Sequence, residues 1–332
     1  MKIEHIFIVN PVAGKKDQTE YIKKELDSIS GFDYTLYNTK DVGDATKYVH
    51  SLCKNNPEKE YRFYACGGDG TLNEVISGIE GYPNASFTCY PCGSGNDFVK
   101  ATKDRDFSDI KALLDGSEKK IDLIKVNGHN SINIVNIGFD AAVSYNMAKF
   151  KKWPLVSGKG AYNLALVYSL FNDMKHKGKL YVDDELVYEG KFLLTAACNG
   201  ICCGGGYYFM PNAEIDSGYI DQMFVKQISL FKFLKHVKNF KNGTYEKYPK
   251  LMRYINLYKA HKIKVVSTNG KYLKFGYDGE NGIAKEIDIE IIPSALRFFV
   301  PNTQTAIISQ EMIEKTLTFK EAKFLEVEDD GL

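Results

Sequence analysis

One stretch constrains the fold more than any other: residues 61–79, YRFYACGGDGTLNEVISGI. Its first six residues form a short aromatic-rich strand. Gly67, Gly68 and Gly70 then let the backbone turn sharply and approach a ligand closely, because glycine has no Cβ. Thr71 and Glu74 have the spacing of a capping box, and Val75, Ile76 and Ile79 give the following helix its apolar face. A strand that breaks through glycines into a helix N-terminus concentrates free N–H groups and the positive dipole end in one place, which suits phosphate. Asp69 sits inside this loop. A carboxylate beside a phosphate repels it unless a divalent cation lies between them. The stretch therefore points to nucleotide phosphate with Mg²⁺.

The same strand-to-helix alternation runs through the first ~120 residues, at the short loop lengths of α/β units. Strands are expected at 5–10, 34–37 and 86–90. Helices are expected after Asp17 and Glu20, which repeat the capping spacing, and over 43–52. This alternation predicts a parallel sheet with helices on both faces. Ligands of such sheets bind at the carboxyl ends of the strands. Three special loops follow strand ends and so gather on one edge: residues 10–16, the central glycine loop, and Pro91-Cys92-Gly93-Ser94-Gly95-Asn96-Asp97-Phe98.

From Lys120 the texture changes. Strands are expected at 120–126, 131–139, 179–182, 186–198 and 219–225, then a hairpin of 263–266 with 272–277, then 287–292. Helical intervals cover 162–174 and 228–258. Dense strands with short turns predict a β-rich second domain. The expected organisation is a nucleotide domain over 1–127, a β-rich domain over 128–294, and a segment from about 295 to 332 that packs back on the first.

A length of 332 residues is enough for two cored domains. Hydrophobic residues at 44% and charged residues at 26% fit a soluble globular chain, and a net charge of +1 gives no global field for nucleic acid. The N-terminal MKIEHIFIVN is too short in apolar length, and too interrupted by Glu4 and His5, for a signal peptide. No run reaches the ~18 apolar residues of a membrane span. A cytoplasmic protein is expected, with its seven cysteines reduced. Cys89 and Cys92 form a C-x-x-C, but Cys198, Cys202 and Cys203 supply no second pair with zinc spacing.

Taken together, Asn10-Pro11-Val12-Ala13-Gly14, Gly67-Gly68-Asp69-Gly70-Thr71-Leu72-Asn73-Glu74 and the Pro91–Phe98 loop resemble the diacylglycerol kinase catalytic family, most closely its bacterial soluble lipid kinases. The likeness continues through Ile121-Asp122-Leu123, Asn136-Ile137-Gly138-Phe139, Asp216-Ser217-Gly218 and Asp278-Gly279-Glu280, in the family's order and across nearly the whole chain. The resemblance implies an NAD kinase/phosphofructokinase-like α/β domain and a β-sandwich-like domain, with ATP between them. It implies transfer of the ATP γ-phosphoryl group to a lipid hydroxyl at a membrane surface, by a peripheral protein that is an optional homodimer. NAD kinase-like chemistry shares Gly-Gly-Asp-Gly-Thr and is the competing enzyme class. A non-enzymatic nucleotide-binding regulator is the competing non-enzyme class, disfavoured by the retained acids.

The resemblance also distributes roles. Asn10, Pro11, Gly14, Thr39, Gly67, Gly68, Gly70, Thr71, Glu74, Gly93, Ser94 and Asn96 are implied nucleotide contacts. Ser94 stands where the family usually has threonine and keeps the hydroxyl. Asp69 is the implied Mg²⁺ ligand, Asp97 faces the acceptor hydroxyl or the metal, and Asp122 joins a water network to Mg²⁺. Asp278 and Glu280 are implied to divide the general base and an ATP contact between them. Relatives hold a structural Mg²⁺ with an acid where this chain has Ser217, leaving Asp216 in a shifted position. No Walker lysine motif is present, and Lys15 and Lys16 only flank the first turn. Phe139, Tyr145, Met147, Phe150 and Trp153, with Lys149, Lys151 and Lys152 nearby, are candidates for a lipid path meeting anionic headgroups. Phe231, Phe233, Leu234 and Val237 belong either to a core-packed helix or to a membrane-facing one.

Overall fold

The computed structural model describes residues 2–102, 105–153, 156 and 158–302. In chain order the first half contains β1 (Ile3–Val9), α1 (Thr19–Asp27), β2 (Thr35–Asn38), α2 (Asp44–Asn55), β3 (Glu60–Gly67), α3 (Asp69–Ile79), β4 (Ala85–Pro91) and α4 (Ile110–Leu114). The second half opens with β5 (Gly116–Val126), β6 (His129–Ser131) and β7 (Ile134–Gly138), then α5 (Phe139–Phe150) and α6 (Gly158–Asn172). It continues with β8 (His176–Val182), β9 (Glu185–Cys198), β10 (Ile220–Lys226), α7 (Leu230–Lys241) and α8 (Pro249–Met252). It closes with β11 (Ile255–Ala260), β12 (Lys262–Ser267), β13 (Leu273–Tyr277), β14 (Glu280–Ala284) and β15 (Glu286–Pro301).

β4, β3, β1 and β2 pair in parallel, in that order, as the α/β alternation predicts. Continuous apolar runs such as Phe7, Ile8 and Val9 on β1 are fully buried, because helices cover both faces. The two halves are not joined by a simple linker. β15 runs antiparallel to β12 and to the long β5, bulges between Ile292 and Leu296, and then reaches the first sheet, where Phe298 pairs in parallel with Phe87. A bulge re-aims a strand, and this one lets a single strand serve both halves. Phe298 anchors the crossing by stacking on Phe87 and Phe107 and meeting Phe98 edge-on. Burial of one such ring is worth roughly 1.5–3 kcal/mol. Residues 295–301 thus pack against the first sheet, while 303–332 lie outside the described residues.

Four elements depart from the sequence expectation. The hairpin expected of 263–266 with 272–277 does not form, because β12 pairs with β8 and β15 while β13 pairs with β7 and β14. Residues 139–150 form α5, where the strand was expected to run through Phe139. Phe139, Ala141, Ala142, Val143 and Asn146 are all buried, so this helix is enclosed on several sides and carries little polar periodicity. Residues 255–260 form β11, not helix, because they complete a six-residue antiparallel register with β10. The expected capping box of α3 is also absent. The helix begins at Asp69 with Gly68 as its cap residue, so Thr71 already lies inside the first turn.

Glu74 instead reaches across to the start of α2. Its two carboxylate oxygens accept the amides of Gly43 and Ala45 at 2.9 and 3.1 Å, while its backbone oxygen accepts the Thr46 hydroxyl. A carboxylate at a helix start satisfies orphan amides and the dipole together. We expect Glu74→Ala to destabilise the protein by roughly 1–2 kcal/mol, read as a lower urea midpoint with unchanged slope. No change in midpoint would contradict the cap.

Candidate active site

The three glycine-containing loops meet at the carboxyl edge of the first sheet. Asn10, after β1, donates from Nδ2 to Thr71 Oγ1 at 3.0 Å, and its Oδ1 accepts the Val12 amide. Gly67 O, after β3, accepts the amides of Cys92 and Gly93. Asn96 clamps its own loop, accepting the Gly93 amide on Oδ1 and donating from Nδ2 to Gly93 O. Two glycines make this approach sterically feasible. A Cβ on Gly14, held at φ +74°, would stand 2.1 Å from Cys92 O, and one on Gly93 would stand 2.5 Å from the Cα of Gly68. Ser94 is exposed at the loop tip. Pro11 continues the first loop, and Thr39 ends β2 with its amide on Val9 O.

Asp69 and Asp97 are drawn together here. Asp69 Oδ1 accepts the amide of Asp97 at 2.8 Å and that of Phe98 at 3.4 Å. Its Oδ2 lies 3.0 Å from where a Cβ on Gly95 would sit, with Asp97 Oδ2 3.6 Å from the same point. Burial, and secondarily the Asp97 charge, pushes the Asp69 carboxyl above the usual carboxylate range. Asp97 is itself buried and pairs with Lys100 at 2.5 Å on Oδ1, while Oδ2 accepts the Gly205 amide at 2.9 Å. Lys100, three residues past Asp97, is the cation at this edge that the motifs did not single out. Lys15 and Lys16 stay exposed.

The second half contributes the Asp278-Gly279 turn between β13 and β14. Tyr277 and Glu280 pair directly across it, and both turn residues have positive φ, +42° and +93°. Asp-Gly supplies the two left-handed residues that a tight hairpin requires. The turn docks on the first half: a Cβ on Gly279 would come 3.9 Å from the Gly70 amide, and one on Gly70 would come 4.0 Å from Glu280 Oε1. Asp278 is buried and accepts four hydrogen bonds. Ser131 Oγ and the Asn133 amide reach Oδ1 at 2.8 and 3.2 Å; the Ile132 amide and Asn73 Nδ2 reach Oδ2 at 2.7 and 3.1 Å. Burial still pushes the Asp278 carboxyl up to about 6. Glu280 is exposed and, among the described residues, has no side-chain partner.

These loops border a cavity of about 710 Å³, within the size range of small-molecule sites. One end is polar, lined by Asp69, Ser94, Gly95, Asp97 and the 278–280 turn. The other is apolar, lined by Val143 and Met147 of α5, Leu166 and Leu170 of α6, and Phe233, Val237 and Phe240 of α7. Of the residues named for a lipid path, Phe139 and Met147 line this wall, and Tyr145, Phe150 and Trp153 do not; Phe233, Leu234 and Val237, expected only on a core-packed or membrane-facing helix, line it as well. The residues from α6 carry no motif and could have been found only through the apolar character of that helix.

Two expected metal residues sit elsewhere. Asp122, on β5, is buried, with Oδ2 accepting the Gly218 amide at 2.6 Å and Oδ1 the Ser294 amide at 2.8 Å; it does not line the cavity. Asp216 pairs with Lys119 at 2.9 Å. Among the described residues no group of three or more His, Cys, Asp or Glu is arranged to hold a metal, and all seven cysteines are free.

Asp140, in the first turn of α5, is an acid of the cavity wall that no motif indicated. Its Oδ2 accepts Asn136 Nδ2 at 2.5 Å, and its Oδ1 is buried without a partner. Burial outweighs that hydrogen bond and the amides at the helix start, and pushes the carboxyl up to about 6.

The folded family to which this architecture belongs is set by comparison. Residues 4–126 match the diacylglycerol kinase catalytic domain, and residues 133–300 match the YegS C-terminal NAD kinase beta sandwich-like domain. A diacylglycerol kinase of Staphylococcus saprophyticus is 30% identical over 319 residues, covering 93% of this chain and 98% of its own. One from Staphylococcus aureus is 28% identical, covering 92% and 94%. A solved diacylglycerol kinase structure from Bacillus anthracis shares the fold at a TM-score of 0.62 and 21% identity, covering 90% of this chain and 97% of that one. The fold is thus that of a kinase with an α/β domain and a β-sandwich-like domain. The chain belongs to the diacylglycerol kinase catalytic-domain family.

The Asp140 shift carries a sign. A carboxyl raised from its ordinary 3.8 to about 6 keeps its proton longer in the folded state. Its contribution is most favourable below pH 4 and is lost as pH rises through about 6. Asp140→Asn should therefore gain on the wild type by roughly 1–3 kcal/mol between pH 4 and pH 7, measured by urea unfolding at both. A difference that stays constant with pH would contradict the shift.

Proposed function

We propose that this protein is an ATP- and Mg²⁺-dependent lipid kinase that transfers the γ-phosphoryl group to the hydroxyl of diacylglycerol or a related lipid alcohol, acting as a peripheral protein at a membrane surface. The observation that carries the reading is the two-ended cavity, with glycine loops and acids at one end and side chains of three helices forming an apolar wall at the other. A phosphate chain suits the first end and an acyl chain the second. A dinucleotide acceptor has no use for so long an apolar wall. The diacylglycerol kinases related to this chain support the same substrate class.

The residues at the polar end fit a hard divalent cation. Asp69 presents a buried oxygen toward Gly95, beside a second carboxylate that disfavours its charge, and oxygen ligands of this kind with substrate phosphates are how Mg²⁺ is bound. When bound, Mg²⁺ supplies positive charge to the phosphoryl oxygens. Lys100 fixes Asp97, and the backbone amides of the glycine loops receive the phosphates.

Asp278 is the base in this reading. Its carboxyl, pushed up to about 6, is matched to proton transfer near neutral pH. Ser131 allows it to take a proton, because a hydroxyl that donates to Oδ1 rotates to accept from the protonated form. Glu280, exposed at 4.0 Å from the Gly70 Cβ position, is left for the ATP side.

Phosphoryl transfer from labelled ATP to lipid alcohols in mixed micelles tests the proposal. Labelling of a lipid should require Mg²⁺, and Asp69→Asn should lower kcat roughly 10²–10³-fold. The wild-type kcat/KM should fall as pH drops below about 6, with that limb absent from the residual activity of Asp278→Ala. Labelling of NAD with no lipid labelled would overturn the reading.

A further inference from the structure

Helix α6 packs chiefly on α5, and it is apolar on more faces than that neighbour covers. Ala161, Ala165 and Ser169 recur every four residues and are buried, with Ser169 Oγ accepting Asn146 Nδ2 of α5 at 2.8 Å. Tyr162, Leu166 and Leu170, again four apart, line the cavity. A third face, Leu164, Val167 and Phe171, points away from both and is exposed, Phe171 to 76%, and Tyr168 beside it is 45% exposed while meeting Phe150 of α5 edge-on. A helix apolar all round is buried all round. Across the cavity, α7 repeats the pattern: Phe233 and Phe240 are buried, while Phe231 is 85% exposed and Leu234 both lines the cavity and faces out. The outward faces of α6 and α7 therefore flank the apolar end of the same cavity.

Charge identifies what covers them. Residues 141–172 contain four lysines and no Asp or Glu; residues 226–245 contain five lysines and no Asp or Glu. A chain with net charge +1 has thus gathered cations around its largest apolar projections. Lys149, Lys151, Lys152 and Lys235 are exposed there, and Trp153, half exposed, meets Phe150 edge-on beside them. Apolar side chains collared by lysines and a tryptophan are the pattern of an interfacial helix on an anionic bilayer, where each lysine is worth about 1 kcal/mol. A second copy of the chain is a poor cover, since a two-fold interface would oppose this patch to itself and set lysines against lysines.

We propose that the outward faces of α6 and α7 dock on the surface of an anionic bilayer, with Phe171 and Phe231 inserted among the lipid chains. Docked in this way, the apolar end of the cavity abuts the bilayer, and the acceptor slides along the α6–α7 walls without crossing water. The docking face rests on the lipid-kinase reading only for what enters the cavity; vesicle binding is measurable without turnover.

The test is co-sedimentation of the full chain, without ATP, with vesicles of neutral phosphatidylcholine and with vesicles that also contain phosphatidylglycerol. Wild type should bind the anionic vesicles, and more weakly as salt rises. Phe171→Ser with Phe231→Ser should lose at least tenfold in partitioning; both positions are solvent-facing, so the circular dichroism spectrum should be retained. Lys149→Glu with Lys152→Glu should lose the preference for anionic vesicles. Wild-type binding by both variants overturns the proposal. So does unchanged vesicle binding with a shift from dimer to monomer in sedimentation velocity, which assigns the face to a second copy. Vesicle binding that depends on these residues, in a protein that phosphorylates no lipid, would uphold the docking face and sink the substrate reading alone.

Discussion

The Asp278 carboxylate holds the two halves of this protein in one working geometry. Its four donors come from α3 of the first half, through Asn73, and from residues 131–133 of the second. A buried carboxylate is costly unless hydrogen-bonded, and here the bonds that meet that cost also fix the hairpin tip against the start of α3. Asn73 reinforces the joint by donating to Asn130 O as well, at 2.7 Å. Glycine loops, Asp69 and the apolar cavity can act on one substrate pair only because this joint sets their separation. The long β5–β15 pairing is a second tie between the two halves, since β15 goes on to pair with β4.

What was legible in the sequence was what depends on local chemistry. Glycines after strand ends and the α/β alternation each have a physical cause within a few residues, and each is where it was expected; the hairpin expected of 263–266 with 272–277 is not, because both strands find other partners. The capping role of Glu74 was assigned to the wrong helix because its partners, Gly43 and Ala45, lie at the start of α2; spacing within α3 could not reveal them. Asp97 owes one contact to Gly205, 108 residues away, and Asp278 owes all four of its own to distant segments. Such partners are products of topology. Helix α5 was missed for a related reason: enclosure on several sides erases the polar periodicity by which a helix is read.

The acids of the site divide by the company they keep. Asp97 is neutralised by Lys100 and an amide, and Asp278 is saturated with donors. Asp69 and Asp140 are left short, one beside a second carboxylate and one with an unpartnered oxygen. Under-satisfied buried acids are expensive, and they stand where substrate and metal would supply what is missing. The folded state thus carries a local cost at the polar end of the cavity, while the apolar cores and the β15 crossing supply the stability that sustains it.

The account turns on which molecule fills the apolar half of the cavity. The most direct measurement is photo-crosslinking with a lipid alcohol bearing a diazirine midway along its acyl chain, followed by peptide mapping. Adducts should fall on α5, α6 and α7 at the positions that line the cavity, such as Met147, Leu166, Leu170 and Phe240, and unlabelled lipid alcohol should compete them away. Adducts confined to the outer surface, or insensitive to competitor, would contradict the claim that this cavity holds the acceptor chain.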